Sequence, residues 1–141
     1  DVINVAGHRL STGEMEAIVA AHPAVAECAV VGVQDLDKGQ VPVGLVMLKD
    51  NSAAEFLEIQ KELIQQVRKE IGAFANFKLV IEVARLPKTR SGKILRKTLR
   101  QIADGLAVEA PPTIDDPKIL GEIAAGFVRA GIGEIARQSD G

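Results

Sequence analysis

The stretch Pro87-Lys88-Thr89-Arg90-Ser91-Gly92-Lys93 places a small hydroxyl and a glycine directly before a lysine, on a loop that leads into a basic helix. Serine and glycine let backbone approach an anion closely, and the ammonium adds a movable point charge with three donors. Such a group suits a phosphate that changes position. A Walker A loop is excluded: the place of its first glycine, five before Gly92, is held by Pro87, and Lys93 is followed by Ile94 instead of Ser or Thr. A full cradle for nucleotide phosphates is therefore not expected within this chain.

Lys88, Arg90, Lys93, Arg96, Lys97 and Arg100 form a basic run without an acidic residue, in a chain of net charge −2. A charge run of this kind is commonly a solvated helix face, and the Ser91-Gly92 pair is what turns the reading toward phosphate. Near the other end, Ala6-Gly7-His8-Arg9 sets a flexible glycine beside a guanidinium fork, which suits close backbone approach to a ligand and contact with phosphate; an ordinary turn with an exposed arginine has the same residues. His8 and His22 are too far apart for a helical pair and have no carboxylate or thiol cluster, so no metal site is expected. Cys28 alternates within an apolar strand and reads as a small core side chain. Arg68 and Lys69, by themselves, read as surface charges.

The elements that must position these groups follow from patterning. With 141 residues and 47% hydrophobic composition, one core is expected. The absence of Trp and Tyr leaves little for base stacking, which weakens a nucleic-acid reading; the apolar runs are strand-sized, which argues against a membrane span. A single cysteine and no signal pattern point to an intracellular protein, cytoplasmic or in an organellar matrix. A start at Asp1 leading straight into Val2-Ile3-Asn4-Val5 suggests a longer parent polypeptide with an N-terminal partner domain.

Val2 to Leu10 reads as an extended pair with a turn at Gly7. Ser11 with Glu14 forms a capping box for a helix ending at Pro23. Val25 to Val33 and Val41 to Leu48 read as a hairpin buried on both faces, and Phe56, Ile59, Leu63, Val67 and Ile71 mark an amphipathic helix stopped by Gly72. Leu79 to Val83 is a third strand, and Ile94, Leu95, Leu99 and Ile102 stripe the helix after the Lys93 loop. The fold expected is α+β: a three-stranded main sheet flanked by helices, plus a short N-terminal strand pair. Residues 1–105 form the domain proper and 106–141 an extension, with Asp116 and Pro117 opening a helix near 117–129 and a frayed end from Gly131 to Gly141.

Two segments together, Ile3 to Leu10 and Leu86 to Lys93, make residues 1 to about 117 resemble the C-terminal lid domain of the AMP-forming acyl-CoA synthetases. His22 to Glu27 and Val30 to Val33 fit as well. Gly7-His8-Arg9-Leu10, Lys38-Gly39-Gln40 and the Thr113 to Pro117 tail resemble the short-chain branch, propionyl-CoA synthetase more closely than acetyl-CoA synthetase. The resemblance implies two half-reactions: carboxylate and MgATP give acyl-adenylate and pyrophosphate, then CoA gives the thioester and AMP. It implies that Lys93 is the catalytic lysine of adenylation, supported by Ser91 and Gly92, and that Arg9 meets the ATP phosphates. Ala6, Gly7 and Arg68 fall at CoA-binding positions, and Asp1 adjoins the hinge acid. ATP, CoA and Mg2+ would be held mainly by the N-terminal domain of the same polypeptide. Ala6 stands where the acetyl-CoA branch often has serine, so no hydroxyl is required there. Acylation of Lys93 by a lysine acyltransferase, reversed by a deacylase, would remove its charge. The rivals are an acetate-CoA ligase domain, a free-standing nucleotide- or CoA-binding regulatory module, and an RNA-binding module using the Lys88 to Arg100 face.

Overall fold

Val2–Val5 (β1) and His8–Ser11 (β2) pair antiparallel across the two-residue turn Ala6-Gly7, in the computed structural model, which describes residues 1–49 and 53–140. Both turn residues have positive φ, 48° and 87°, the mirror-image turn whose twist matches that of paired strands. Ser11 then caps Thr12–Ala20 (α1), its hydroxyl accepting from the Glu14 N–H at 3.2 Å.

Val25–Asp35 (β3) and Gly39–Leu48 (β4) form the expected hairpin, and both strands run further toward the turn than hydrophobicity marked. The cause is Asp35, whose carboxylate accepts from the N–H groups of Asp37 at 3.0 Å and Lys38 at 2.9 Å and closes a three-residue loop. Those two bonds hold the Asp35 carboxyl below its ordinary pKa of 3.8. Ala53–Glu70 (α2) crosses to Leu79–Glu82 (β5), which lies parallel to β4. A 3-10 turn at Ala73–Ala75, unforeseen from the pattern, connects them. The main sheet is thus β3, β4 and β5. The N-terminal pair joins the end of the central strand β4 through Val5 opposite Gly39, making five strands among the described residues.

Side chains of β3 and β4 alternate between two separate cores. Cys28, Val30, Val46 and Leu48 face α1 and α2, where Met15, Val19, Leu63 and Val67 are buried. Ala29, Val31, Val33, Val43 and Leu45 face the other way, onto Arg96–Ala103 (α3) and Ile119–Ala130 (α4). Leu99, Ile123 and Phe127, each 2% exposed or less, fill that second layer.

Two expectations need correction. Ile94 and Leu95 precede α3 instead of lying in it: Ile94 bridges to Lys88, and the Leu95 N–H donates to the Pro87 carbonyl at 2.9 Å, which holds the chain in a hairpin until Arg96. The segment after Gly131 is not frayed through its described residues, because Gly133–Asp140 (α5) is helical with Ile132 and Ala136 buried; Gly141 lies outside the described residues. Gly133 allows that docking. Its φ is +86°, and a Cβ there would sit 2.4 Å from the Ala103 carbonyl oxygen. Gly133→Ala is therefore expected to lower stability by about 1–3 kcal/mol in chemical denaturation, since backbone must shift to make room. A denaturation midpoint equal to wild type would show that α5 does not depend on this contact.

Candidate functional site

Lys93 sits at the mouth of a narrow hairpin built from its own loop. The Thr89 N–H donates to the Lys93 carbonyl at 2.9 Å, and the Gly92 N–H donates to the Thr89 carbonyl at 2.9 Å. Gly92 has φ 92°, which a side chain would strain. The Lys93 N–H donates to the Thr89 hydroxyl oxygen at 3.1 Å, and that hydroxyl lies 2.9 Å from the one on Ser91. The turn is thereby held by its own hydrogen bonds, and the Lys93 side chain is left exposed. Thr89 was not singled out from sequence, although a hydroxyl four residues before the lysine is the signal that could have found it.

Half of the basic run is neutralised by residues far away in the chain. Lys88 pairs with Glu27, Arg100 with Asp1, and Arg96 with Glu16 through a fork of 3.0 Å and 2.6 Å. Among the described residues, Lys93 has no ion-pair partner within 4.0 Å. The face expected from the sequence as a uniform basic strip has three ion pairs, at Lys88, Arg96 and Arg100, interleaved with Arg90, Lys93 and Lys97, which have no ion-pair partner among the described residues.

Glu16 joins the two layers. β3 is an edge strand, and the Glu16 carboxylate accepts from its Val30 N–H at 2.9 Å while holding Arg96 from the opposite side. Its hydrogen bond keeps the Arg96 guanidinium above its ordinary pKa. Burial first, and the nearby Glu16 charge second, push the Cys28 thiol up to about 11, so it stays protonated at neutral pH.

The other candidate residues gather elsewhere. Ala6 and Gly7 form the exposed β1–β2 turn, and the adjoining His8 ring packs 5.0 Å from Phe74 of the 3-10 turn. Arg9, exposed on β2, lines a cavity of about 630 Å³ with Val2, Glu70 and Phe74. Arg68, exposed on α2, lines a second cavity of about 240 Å³ with Ala73, Asn76 and Lys78. Arg9 and Arg68 thus flank the 73–75 turn, while the Ala6 N–H donates to the Lys38 carbonyl at 2.9 Å, beside the β3–β4 loop. Lys93 shares neither cavity. Asp1 is fixed at the sheet's start, its carbonyl accepting from the Thr12 N–H at 2.9 Å. Among the described residues, no group of three or more His, Cys, Asp or Glu is placed to hold a metal, and no helix is long and apolar enough to cross a membrane.

Residues 14–93 match the profile of the AMP-binding enzyme C-terminal domain, and the chain belongs to that family. It is 52% identical over 127 residues to a mitochondrial acyl-CoA synthetase short-chain family member B of Dictyostelium discoideum, covering 90% of this chain and 18% of that protein. It is 54% identical over 105 residues to acetyl-coenzyme A synthetase 1 of Debaryomyces hansenii, covering 74% of this chain and 16% of that protein. A solved structure of a Brucella canis acyl-CoA synthetase superposes with a TM-score of 0.63 at 38% identity, over 72% of this chain and 18% of that one. The chain spans about a fifth of the length of the curated relatives it matches.

Glu16→Ala would strand the Arg96 guanidinium and the Val30 N–H, and is expected to cost about 2 kcal/mol of stability. Glu58→Ala, which removes an exposed pair with Lys61, should change stability by less than about 0.5 kcal/mol. Equal effects in denaturant titration would show that the Glu16 link carries no special weight.

Proposed function

We propose that this chain is the mobile lid of an AMP-forming short-chain acyl-CoA synthetase acting on propionate, with Lys93 as its catalytic residue in adenylation. The observation that carries the reading is the setting of Lys93: an exposed ammonium with no ion-pair partner among the described residues, on a turn held by its own hydrogen bonds, beside Lys88 and Arg96, which are paired with Glu27 and Glu16. A fixed backbone with a free charge delivers a cation to a chosen point at low ordering cost. In the adenylation pose, Lys93 bridges the substrate carboxylate and the α-phosphate as pentavalent charge develops. Losing electrostatic stabilisation of this sort commonly slows a reaction by on the order of 10²–10³.

Mg2+ and most contacts to ATP and CoA belong to the N-terminal domain of the same polypeptide; the ion neutralises phosphate charge when bound. Arg9 meets the ATP phosphates in the same pose. A rigid-body rotation at the hinge beside Asp1 then withdraws Lys93 and presents the Ala6-Gly7 turn to the pantetheine, with Arg68 beside the CoA nucleotide phosphate. That Lys93 lines neither of the cavities beside Arg9 and Arg68 supports this division of labour. Residues 1–105 act as the lid and 106–141 as its extension, in the cytoplasm or an organellar matrix. The acetate reading has specific support in the likeness to the Debaryomyces hansenii acetyl-coenzyme A synthetase 1. Acylation of Lys93 by an acyltransferase, reversed by a deacylase, would silence adenylation by removing the charge.

In the full-length parent, Lys93→Ala is expected to lower propionate-dependent pyrophosphate release by on the order of 10²–10³ while thioester formation from supplied propionyl-adenylate and CoA survives. Near-normal pyrophosphate release would assign Lys93 a structural role. The same assay with acetate in place of propionate decides the acyl preference.

A further inference from the structure

The Lys93 hairpin does not stand alone. Residues 113–115 lie along its outer strand: Thr89 bridges to Ile114, the Arg90 N–H donates to the Thr113 carbonyl at 3.0 Å, and the Asp115 N–H donates to the Lys88 carbonyl at 2.9 Å. A two-stranded hairpin in water is marginal, and a third strand is what gives such a unit independent order. The third strand comes from 20 residues beyond Lys93, outside the 14–93 stretch that the family profile matches.

The strand is itself anchored on both sides. Ile114 is 5% exposed and sits in the second core with Ile119, Ile123 and Phe127. Directly after it, Asp116 accepts from Arg85 at 2.7 Å, and Arg85 also forks onto Glu122 of α4 at 3.2 Å and 2.6 Å. Arg85 immediately precedes the Leu86-Pro87 entry to the loop. The bracket therefore ties the loop's entrance, the third strand and α4 into one unit.

We propose that Thr113, Ile114 and Asp115 form a backbone clamp that positions Lys93 for adenylation, with Arg85 and Asp116 as the bracket that holds the clamp in place. The clamp deepens the function proposed above and rests on it. A loop with few buried contacts of its own belongs to the least stable part of a fold, and the clamp removes the Lys93 hairpin from that class. Because Lys93 acts only in the adenylation pose, the clamp governs the first half-reaction and leaves the second unaffected.

The test uses the full-length parent with two variants, Asp115→Pro, which deletes the N–H to Lys88, and Arg85→Gln, which cuts the bracket. Hydrogen exchange of the 87–95 amides, carboxylate-dependent pyrophosphate release, and thioester formation from supplied acyl-adenylate are measured in each. Both variants are expected to exchange faster across 87–95 and to lose adenylation kcat by on the order of tenfold, with thioester formation within about twofold of wild type. Asp115→Ala keeps the N–H and should retain adenylation. Unchanged exchange, unchanged adenylation despite faster exchange, or an equal fall in both half-reactions would overturn the clamp. Lys93→Ala run in parallel separates the two ideas: if it keeps pyrophosphate release, the reading of the site itself fails; if it loses release while both clamp variants keep it, only the clamp fails.

Discussion

Burial of the β3–β4 hairpin on both faces is the constraint from which the rest of the molecule follows. Strands whose alternate residues are all apolar cannot leave either face to water, so each face must be roofed by helices. One roof is α1 and α2, the other α3, α4 and α5. The chain visits the first roof early and the second late, so the residues proposed for the two half-reactions come from different parts of the fold. Arg9 and Arg68 line cavities beside the 73–75 turn, whereas Lys93 is followed by Ile94 and Leu95, which pack against the second core. A lid that must show different residues to one active site in turn can do so by rotating as a body only if those residues are held on different sides of something rigid. The two-faced hairpin supplies that rigidity.

Electrostatic compensation then relieves half of the basic run. A cluster of six cations on one loop and helix would repel itself and attract any polyanion. Here Glu27, Glu16 and Asp1 each cross from another element to meet Lys88, Arg96 and Arg100. These pairs are half-exposed and each contributes little on its own. Their larger effect is geometric: they fix where α3 and the Lys93 loop begin relative to β3 and the chain's first residue. Glu16 does the most, because its carboxylate serves the free edge of the sheet and the opposite layer at once.

What was legible from the sequence was local. The Ser11 cap, the β3–β4 hairpin, the amphipathic face of α2 and the αβ order of the main sheet all rest on residues within a few positions of one another. The parts that were missed depend on distant partners. Ile94 and Leu95 carry a helical stripe, yet backbone pairing with Pro87 and Lys88 overrides it. The terminal position of the segment after Gly131 suggested fraying, whereas burial of Ile132 and Ala136 against the second layer orders a helix. Lys93, Arg9 and Arg68 could be named as candidates from motif and resemblance. That Thr89 binds the Lys93 amide, and that residues 113–115 pair with its loop, could not be read without the fold.

The central claim is that Lys93 reaches the nucleotide in one pose and leaves it in the other. Competitive amine labelling of Lys93 in the full-length parent tests this most directly, first without ligand, next with a non-hydrolysable acyl-adenylate analogue and then with CoA added. The account predicts protection of Lys93 by the analogue alone and recovered labelling once CoA is present. Labelling that is the same in all three states would contradict it.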